Sequence, residues 1–214
     1  MEYFLNSKSS CIVYSCIKAI QDNKDYLSEV DGAIGDGDHG INMNKGFTIC
    51  GERLAGGEQG LSSALKVLGR VLLMEIGGSM GPLYGTFFLE MSKACTDKEN
   101  IDIRVFSYML EKAVEGVGSI GNASVGDKTL MDVLLPALEA YKKADESDST
   151  FEQALAEMKA AAEKGKESTR DMIAKVGRAS RLGERSRGVL DAGAVSCNLI
   201  LGSIVDAILN LLKD

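Results

Sequence analysis

The chain has 214 residues and a formal net charge of −7, with a pI near 4.9. Such a length fits one large domain over residues 1–214, with a core that needs no disulfide or metal staple. The acidic balance argues against a nucleic acid or a membrane surface as partner, because phosphates would be repelled. The apolar run Cys11-Ile-Val-Tyr14 is interrupted by Ser15 and Lys18; it is too short to cross a membrane and lacks the basic start of a signal peptide. With no targeting segment, a cytoplasmic protein is expected. The five cysteines, at 11, 16, 50, 95 and 197, are odd in number and form no close pair, so they read as small buried residues in a reducing compartment.

About eight amphipathic helices are predicted, and no segment alternates as a strand would. In the first, Val13, Ile17 and Ile20 step by four and three along one face. The stretch that follows, Asp31-Gly-Ala-Ile-Gly-Asp36-Gly-Asp38-His39, carries three carboxylates and the single histidine. Its glycines let the backbone turn tightly enough for the three side chains to converge. Converging carboxylates repel and raise each other's pKa unless a cation sits between them. Oxygen donors alone suit a hard ion, Mg²⁺ or Ca²⁺, rather than zinc. Spacing excludes an EF-hand. Counted from Asp36, its turn glycine would fall on Ile41 and its bidentate glutamate on Phe47; counted from Asp31, they would fall on Asp36 and Asn42. His39 reads either as a turn residue fixing the second helix or as a neighbour of a phosphate or base.

The second helix presents Met43, Phe47, Cys50 and Leu54, and the third Leu61, Leu65, Leu68 and Leu72. The fourth, with Leu83, Phe87 and Met91, lies among the glycines at 77, 78, 81 and 85, and the fifth carries Ile103, Phe106, Leu110, Ala113 and Val117. Next comes Gly121-Asn-Ala-Ser-Val-Gly126-Asp127-Lys128-Thr129, a near miss to a P-loop in which Asp127 displaces the lysine by one place. Asp127 is expected to cap the sixth helix and Lys128 to be an ordinary first-turn lysine. That helix shows Leu130, Leu134, Ala137 and Tyr141, and Pro136 inside it predicts a kink or a local break. Thr150 to Gln153 makes a capping box ahead of the seventh, with Phe151, Leu155, Met158 and Ala162. The loop after it holds Arg178, Arg181, Arg185 and Arg187. Three of these read as solvated charges partly paired with Glu184, and one could reach a transferring phosphoryl group. Asp191-Ala-Gly193 opens the last helix, with Val195, Leu199, Gly202, Val205 and Leu209 on its apolar face.

The connections alternate in character. Those around Gly56-Gly57, Thr96-Asp97 and Asp145–Ser149 are short and polar, whereas the other four are glycine-rich. In an up-and-down bundle alternate loops share one end, so the glycine-rich loops and the acid cluster are expected at one mouth. Glycine-rich backbone at helix N-termini binds phosphate, and carboxylates need an intervening cation to face phosphate. The combination predicts a Mg-nucleotide site.

Four motifs, Gly35-Asp-Gly-Asp-His39-Gly-Ile-Asn42-Met-Asn, Gly77-Gly78…Gly81-Pro-Leu-Tyr-Gly85-Thr, Gly126-Asp-Lys-Thr129…Asp132 and Gly177-Arg-Ala-Ser180…Leu-Gly-Glu-Arg-Ser186, resemble the DhaL family, the nucleotide-binding subunits of bacterial dihydroxyacetone kinase. The likeness runs over nearly the whole chain. It implies an all-α fold, a closed barrel of eight antiparallel up-and-down helices with the nucleotide at its rim. It also implies two Mg²⁺ ions on Asp31, Asp36 and Asp38. Contacts to ADP or ATP would fall on His39, Gly40, Ile41, Asn42, Ser79, Met80, Gly121, Leu130, Arg178, Asp191, Ala192 and Gly193, with Arg178 catalytic. In the form linked to the phosphotransferase system the nucleotide stays bound, a phosphohistidine protein (DhaM) recharges it, and the γ-phosphate passes to dihydroxyacetone on DhaK. A chain of this length without a fused substrate domain fits that separate-subunit form, and a homodimer is left open. The chain has Ser79-Met80 where the family often has Ala-Ser, and Val189 and Ala192 where a histidine and a proline are common. A kinase subunit exchanging free ATP for another short sugar, and a nucleotide-loaded regulatory module, are the alternatives. Exchange of bound nucleotide separates the first two readings, and activity with a DhaK-like partner separates both from the third.

Overall fold

A computed structural model describes residues 2–57 and 59–213. Among these it has nine α-helices: α1 (Cys11–Asp22), α2 (Lys24–Gly32), α3 (His39–Leu54), α4 (Leu61–Glu75), α5 (Met80–Cys95), α6 (Ile103–Gly121), α7 (Met131–Glu146), α8 (Phe151–Ser168) and α9 (Ala192–Leu211). Eight coincide with the periodic segments, and the fold is all-α. The ninth, α2, is an addition: its nine residues bury one side chain, Leu27, which leaves no periodicity to read. The expectation of no strands is corrected by a ribbon of β1 (Tyr3–Leu5) and β2 (Asn100–Asp102), paired antiparallel with Phe4 opposite Ile101.

Neighbour order shows how the helices enclose the core. Helix α1 packs on α3, α3 on α4, and so on through consecutive helices to α9, which returns to α1. The rings of Phe47, Phe87, Phe88, Phe106, Tyr141 and Phe151 fill the interior. Phe106 and Tyr141 meet edge to face at 5.4 Å, and the Tyr141 hydroxyl donates to the Ile103 carbonyl at 3.0 Å, so its polar end is satisfied where water is excluded. Helix α9 is long and apolar enough by length and composition to cross a membrane. Here it lies against α1, α2, α7 and α8, with Ile200, Leu201, Ile204 and Ile208 buried: a core helix.

At the end away from the glycine-rich loops, buried Asn6 donates to the carbonyls of Cys95 at 2.8 Å and Lys98 at 2.7 Å. Its oxygen accepts from the Ser62 amide at 3.0 Å, so one side chain ties the chain start to α4 and the α5 terminus. Four cysteines are buried and all five are free, but Cys11 is exposed, against the expectation for the set. It opens α1 on that helix's outer side.

Pro136 does not break α7, which runs continuously from Met131 to Glu146. Proline lacks the N–H that would bond the Asp132 carbonyl, and Gly165 of α8 lies directly against that carbonyl, where an added Cβ would collide with it. The close approach packs α7 onto α8 at the point where the ladder is interrupted. Gly165→Ala should therefore separate the two helices and cost about 1–3 kcal/mol, read as a lowered urea midpoint; an unchanged midpoint would remove this contact from the account.

Candidate functional site

The acid loop is built by its backbone. Asp31 lies in the last turn of α2, Asp36 in the loop, and Asp38 at the N-cap of α3. The Gly35 amide donates to the Asp31 carbonyl at 2.6 Å. A Cβ on Gly35 would stand 2.5 Å from the Asp31 Oδ1, so only glycine lets the loop fold back over that side chain. Gly37, at φ +75°, then reverses the chain into α3. Ligand oxygens of Asp31, Asp36 and Asp38 come within 4.8 Å of one another, close enough for one hard cation to touch all three. The His39 amide, first of α3, donates to Asp31 Oδ2 at 3.3 Å, adding the helix's positive end.

This cluster lies at the polar side of a cavity of about 580 Å³. All four glycine-rich loops reach it, as their alternation along the chain requires. Asp31, Asp36, Asp38, His39, Asn42, Ser79, Met80, Gly121, Leu130, Arg178, Asp191, Ala192 and Gly193 all line it. Gly40 and Ile41 do not: Gly40 packs against the Lys24 carbonyl of α2, and Ile41 is 55% exposed. The rest of the lining is largely apolar, with Ile34, Pro82, Leu83, Val117, Ile120 and Met131 among it; sequence periodicity assigns these only to helix faces or leaves them unassigned.

His39 is 7% exposed, and burial pushes its pKa down to about 4 against the opposing pull of Asp31, so the ring is neutral at pH 7. Its Nε2 lies 2.9 Å from the Ser196 hydroxyl, which lies 2.6 Å from the Tyr84 hydroxyl. Tyr84 donates to the Gly193 carbonyl at 3.0 Å. One buried network thus joins α3, α5 and α9 at the cavity wall. Tyr84 stands inside the Gly81–Gly85 motif and Ser196 on the apolar face of α9, but nothing local in either stretch assigns them a role, because their partners lie on other helices.

Arg178 faces Asp36 as an ion pair. It follows Gly177 at the start of a 3-10 segment, Arg178–Ser186. Arg187 pairs instead with Glu184 at 3.4 Å, both exposed, as the solvated reading has it. Asp127 and Lys128 need correction. Helix α7 begins at Met131, with Leu130 as its N-cap; Asp127 accepts from the Ser124 amide at 2.8 Å and pairs with Lys175 at 3.1 Å. Lys128 is 1% exposed in a left-handed conformation, φ +62°. The side chain organising this turn is buried Asp132, which accepts from the amides of Gly126 at 2.5 Å and Thr129 at 2.7 Å.

Asp191 caps α9, accepting from the Ala194 amide at 2.8 Å. Burial raises its carboxyl from 3.8 to about 7, offset in part by that bond and by Lys128. A pKa raised on folding gives stability that is complete below the ordinary value and is lost as pH climbs through the folded value. The stability of the wild type relative to Asp191→Asn, which keeps a capping oxygen, should therefore fall between about pH 4 and 7; a flat difference across that window would show that the carboxyl is not desolvated.

Comparison with known proteins places this arrangement. Residues 33–206 match the DAK2 domain family. The chain is 40% identical over 187 residues to the Listeria innocua PEP-dependent dihydroxyacetone kinase 1, ADP-binding subunit DhaL, covering 87% of this chain and 88% of that protein. It is 38% identical over 182 residues to the Escherichia coli PEP-dependent dihydroxyacetone kinase, ADP-binding subunit DhaL, covering 85% and 87%. The dihydroxyacetone kinase from C. freundii, solved in complex with AMP-PNP and Mg²⁺, superposes with a TM-score of 0.68 at 22% identity over 96% of this chain and 35% of that one, a likeness of fold. Fold and family together define a kinase subunit, of the phosphotransferase class. The chain belongs to the DhaL family of dihydroxyacetone kinase subunits.

Proposed function

We propose that this chain is the nucleotide-carrying subunit of a dihydroxyacetone kinase. It would hold ADP or ATP with two Mg²⁺ ions, take a phosphoryl group from a DhaM-like phosphohistidine protein and pass it to dihydroxyacetone on a DhaK-like subunit. The single observation that carries this reading is the convergence of Asp31, Asp36 and Asp38 beside Arg178 in a cavity whose lining is otherwise largely apolar. An all-carboxylate donor set fits Mg²⁺, which would offset charge on the phosphate oxygens. The apolar wall of Leu83, Val117, Ile120 and Met131 fits the faces of a purine. We read residues 1–214 as one cytoplasmic nucleotide-binding domain.

Within this reading Arg178 has the catalytic part. As the sugar oxygen bonds to the γ-phosphorus and the bond to the ADP oxygen breaks, charge spreads over the equatorial oxygens, and a guanidinium there lowers the barrier. His39, neutral and tied to Ser196, positions the start of α3 rather than donating a proton.

The test is single-turnover transfer from loaded ATP to dihydroxyacetone with a DhaK-like partner present. Arg178→Ala should slow transfer by about 10³-fold while nucleotide retention changes far less, because the contact strengthens in the transition state. Arg187→Ala, a solvated charge paired with Glu184, should be nearly silent. Equal losses for the two variants, or loss of nucleotide alone in Arg178→Ala, would withdraw the catalytic assignment.

A further inference from the structure

Lys128 lines the cavity and is buried, and its ammonium is turned onto backbone carbonyls. Nζ donates to the carbonyls of Thr169 at 2.6 Å, Met172 at 3.3 Å and Val189 at 2.6 Å. An ammonium has three N–H groups, so all are committed to backbone oxygens. Those oxygens belong to both ends of one segment, residues 169–190, which carries Arg178 and leads directly into Asp191. The segment has little apolar anchorage of its own; Ala174 and Leu190 are its buried hydrophobic side chains. Its other ties are polar, chiefly the Gly188 amide on the Arg170 carbonyl at 2.8 Å, the Lys175 amide on the Asp127 carbonyl at 3.2 Å and the Ala174 amide on the Ser186 hydroxyl at 2.9 Å. A segment held this way opens easily once a central tie is lost. On the other side, Asp132 pins the turn that presents Lys128.

We propose that Lys128 is a positioning residue that clamps both ends of the 169–190 segment over the cavity and thereby sets how long a nucleotide stays bound. The clamp rests on the nucleotide reading of the cavity. It accounts for a buried cation whose three donors all meet backbone carbonyls of one segment, and it explains how Val189 serves through its carbonyl whatever its side chain.

The test compares wild type with Lys128→Met, which keeps an unbranched stem nearly as long and removes the donors. Two quantities are followed: release of a fluorescent ADP derivative into excess ADP with Mg²⁺, and amide hydrogen exchange of the nucleotide-free protein. Exchange should quicken in residues 172–190 with α4, α5 and α6 as in wild type, and the nucleotide should leave about tenfold faster or more, with entry changed much less. Lys128→Gln, which retains two donors, should move both quantities less, in the same direction, and serves in place of Lys128→Met should that variant not fold. Wild-type release from a variant whose segment has opened would overturn the clamp, as would loss of protection throughout the helices, which would make Lys128 a folding residue. A wild-type protein that takes up no ADP derivative would instead overturn the nucleotide reading and the residence role with it, while the exchange result would still report on the tie.

Discussion

Mutual repulsion among Asp31, Asp36 and Asp38 governs the architecture of this end of the molecule. Two unit charges about 4 Å apart repel by about 1 kcal/mol in bulk water and about 4 kcal/mol at the effective dielectric of a protein surface. Three such pairs, with oxygens within 4.8 Å, must be offset for the loop to persist. The offsets are visible in the fold: the first amide of α3 on Asp31, the Arg178 guanidinium against Asp36, and a donor geometry suited to a divalent cation. Gly35 and Gly37 permit the fold-back that brings the carboxylates together. Each of these features loses its purpose without the others.

A second set of polar groups lies behind the first and gives it rigidity. The Asp132 carboxylate orders the turn before α7, Lys128 leads from that turn to the 169–190 segment, and Asp191 ends the segment as the cap of α9. The His39–Ser196–Tyr84 chain fastens α9 to α3 and α5. Buried polar groups are costly when unpaired and confer a unique arrangement when paired. The His39–Ser196–Tyr84 chain spans three helices, whereas Asp132, Lys128 and Asp191 order the turns and the segment between helices, so the two kinds of tie hold the cavity's rim from both sides.

Much of this was readable from the residues. Long apolar periodicities identified eight helices because each buries a full stripe, and the alternation of loop composition placed the four glycine-rich loops together. Helix α2 was not readable, since Leu27 alone anchors it. The β1–β2 ribbon was not either, because three residues per strand give alternation no room. Pro136 leaves α7 unbroken, and the Asp132 carbonyl it frees is covered by Gly165 of another helix, a tertiary fact. Lys128 misled for a similar reason: its role depends on carbonyls 41 to 61 residues away. A signal was present in the compact run Gly126-Asp-Lys-Thr129, whose turn chemistry suits a left-handed residue but does not say where the side chain goes.

In the proposed function the three carboxylates bind a divalent cation that in turn holds a nucleotide. Calorimetric titration of ADP into the wild type and Asp36→Asn, each with and without Mg²⁺, addresses it most directly. Mg²⁺ should strengthen ADP binding to the wild type by about tenfold or more, equivalent to about 1.4 kcal/mol, because the ion offsets charge between carboxylates and phosphates, and Asp36→Asn should abolish most of that gain. Equal ADP affinity for the two proteins, with and without Mg²⁺, would contradict it.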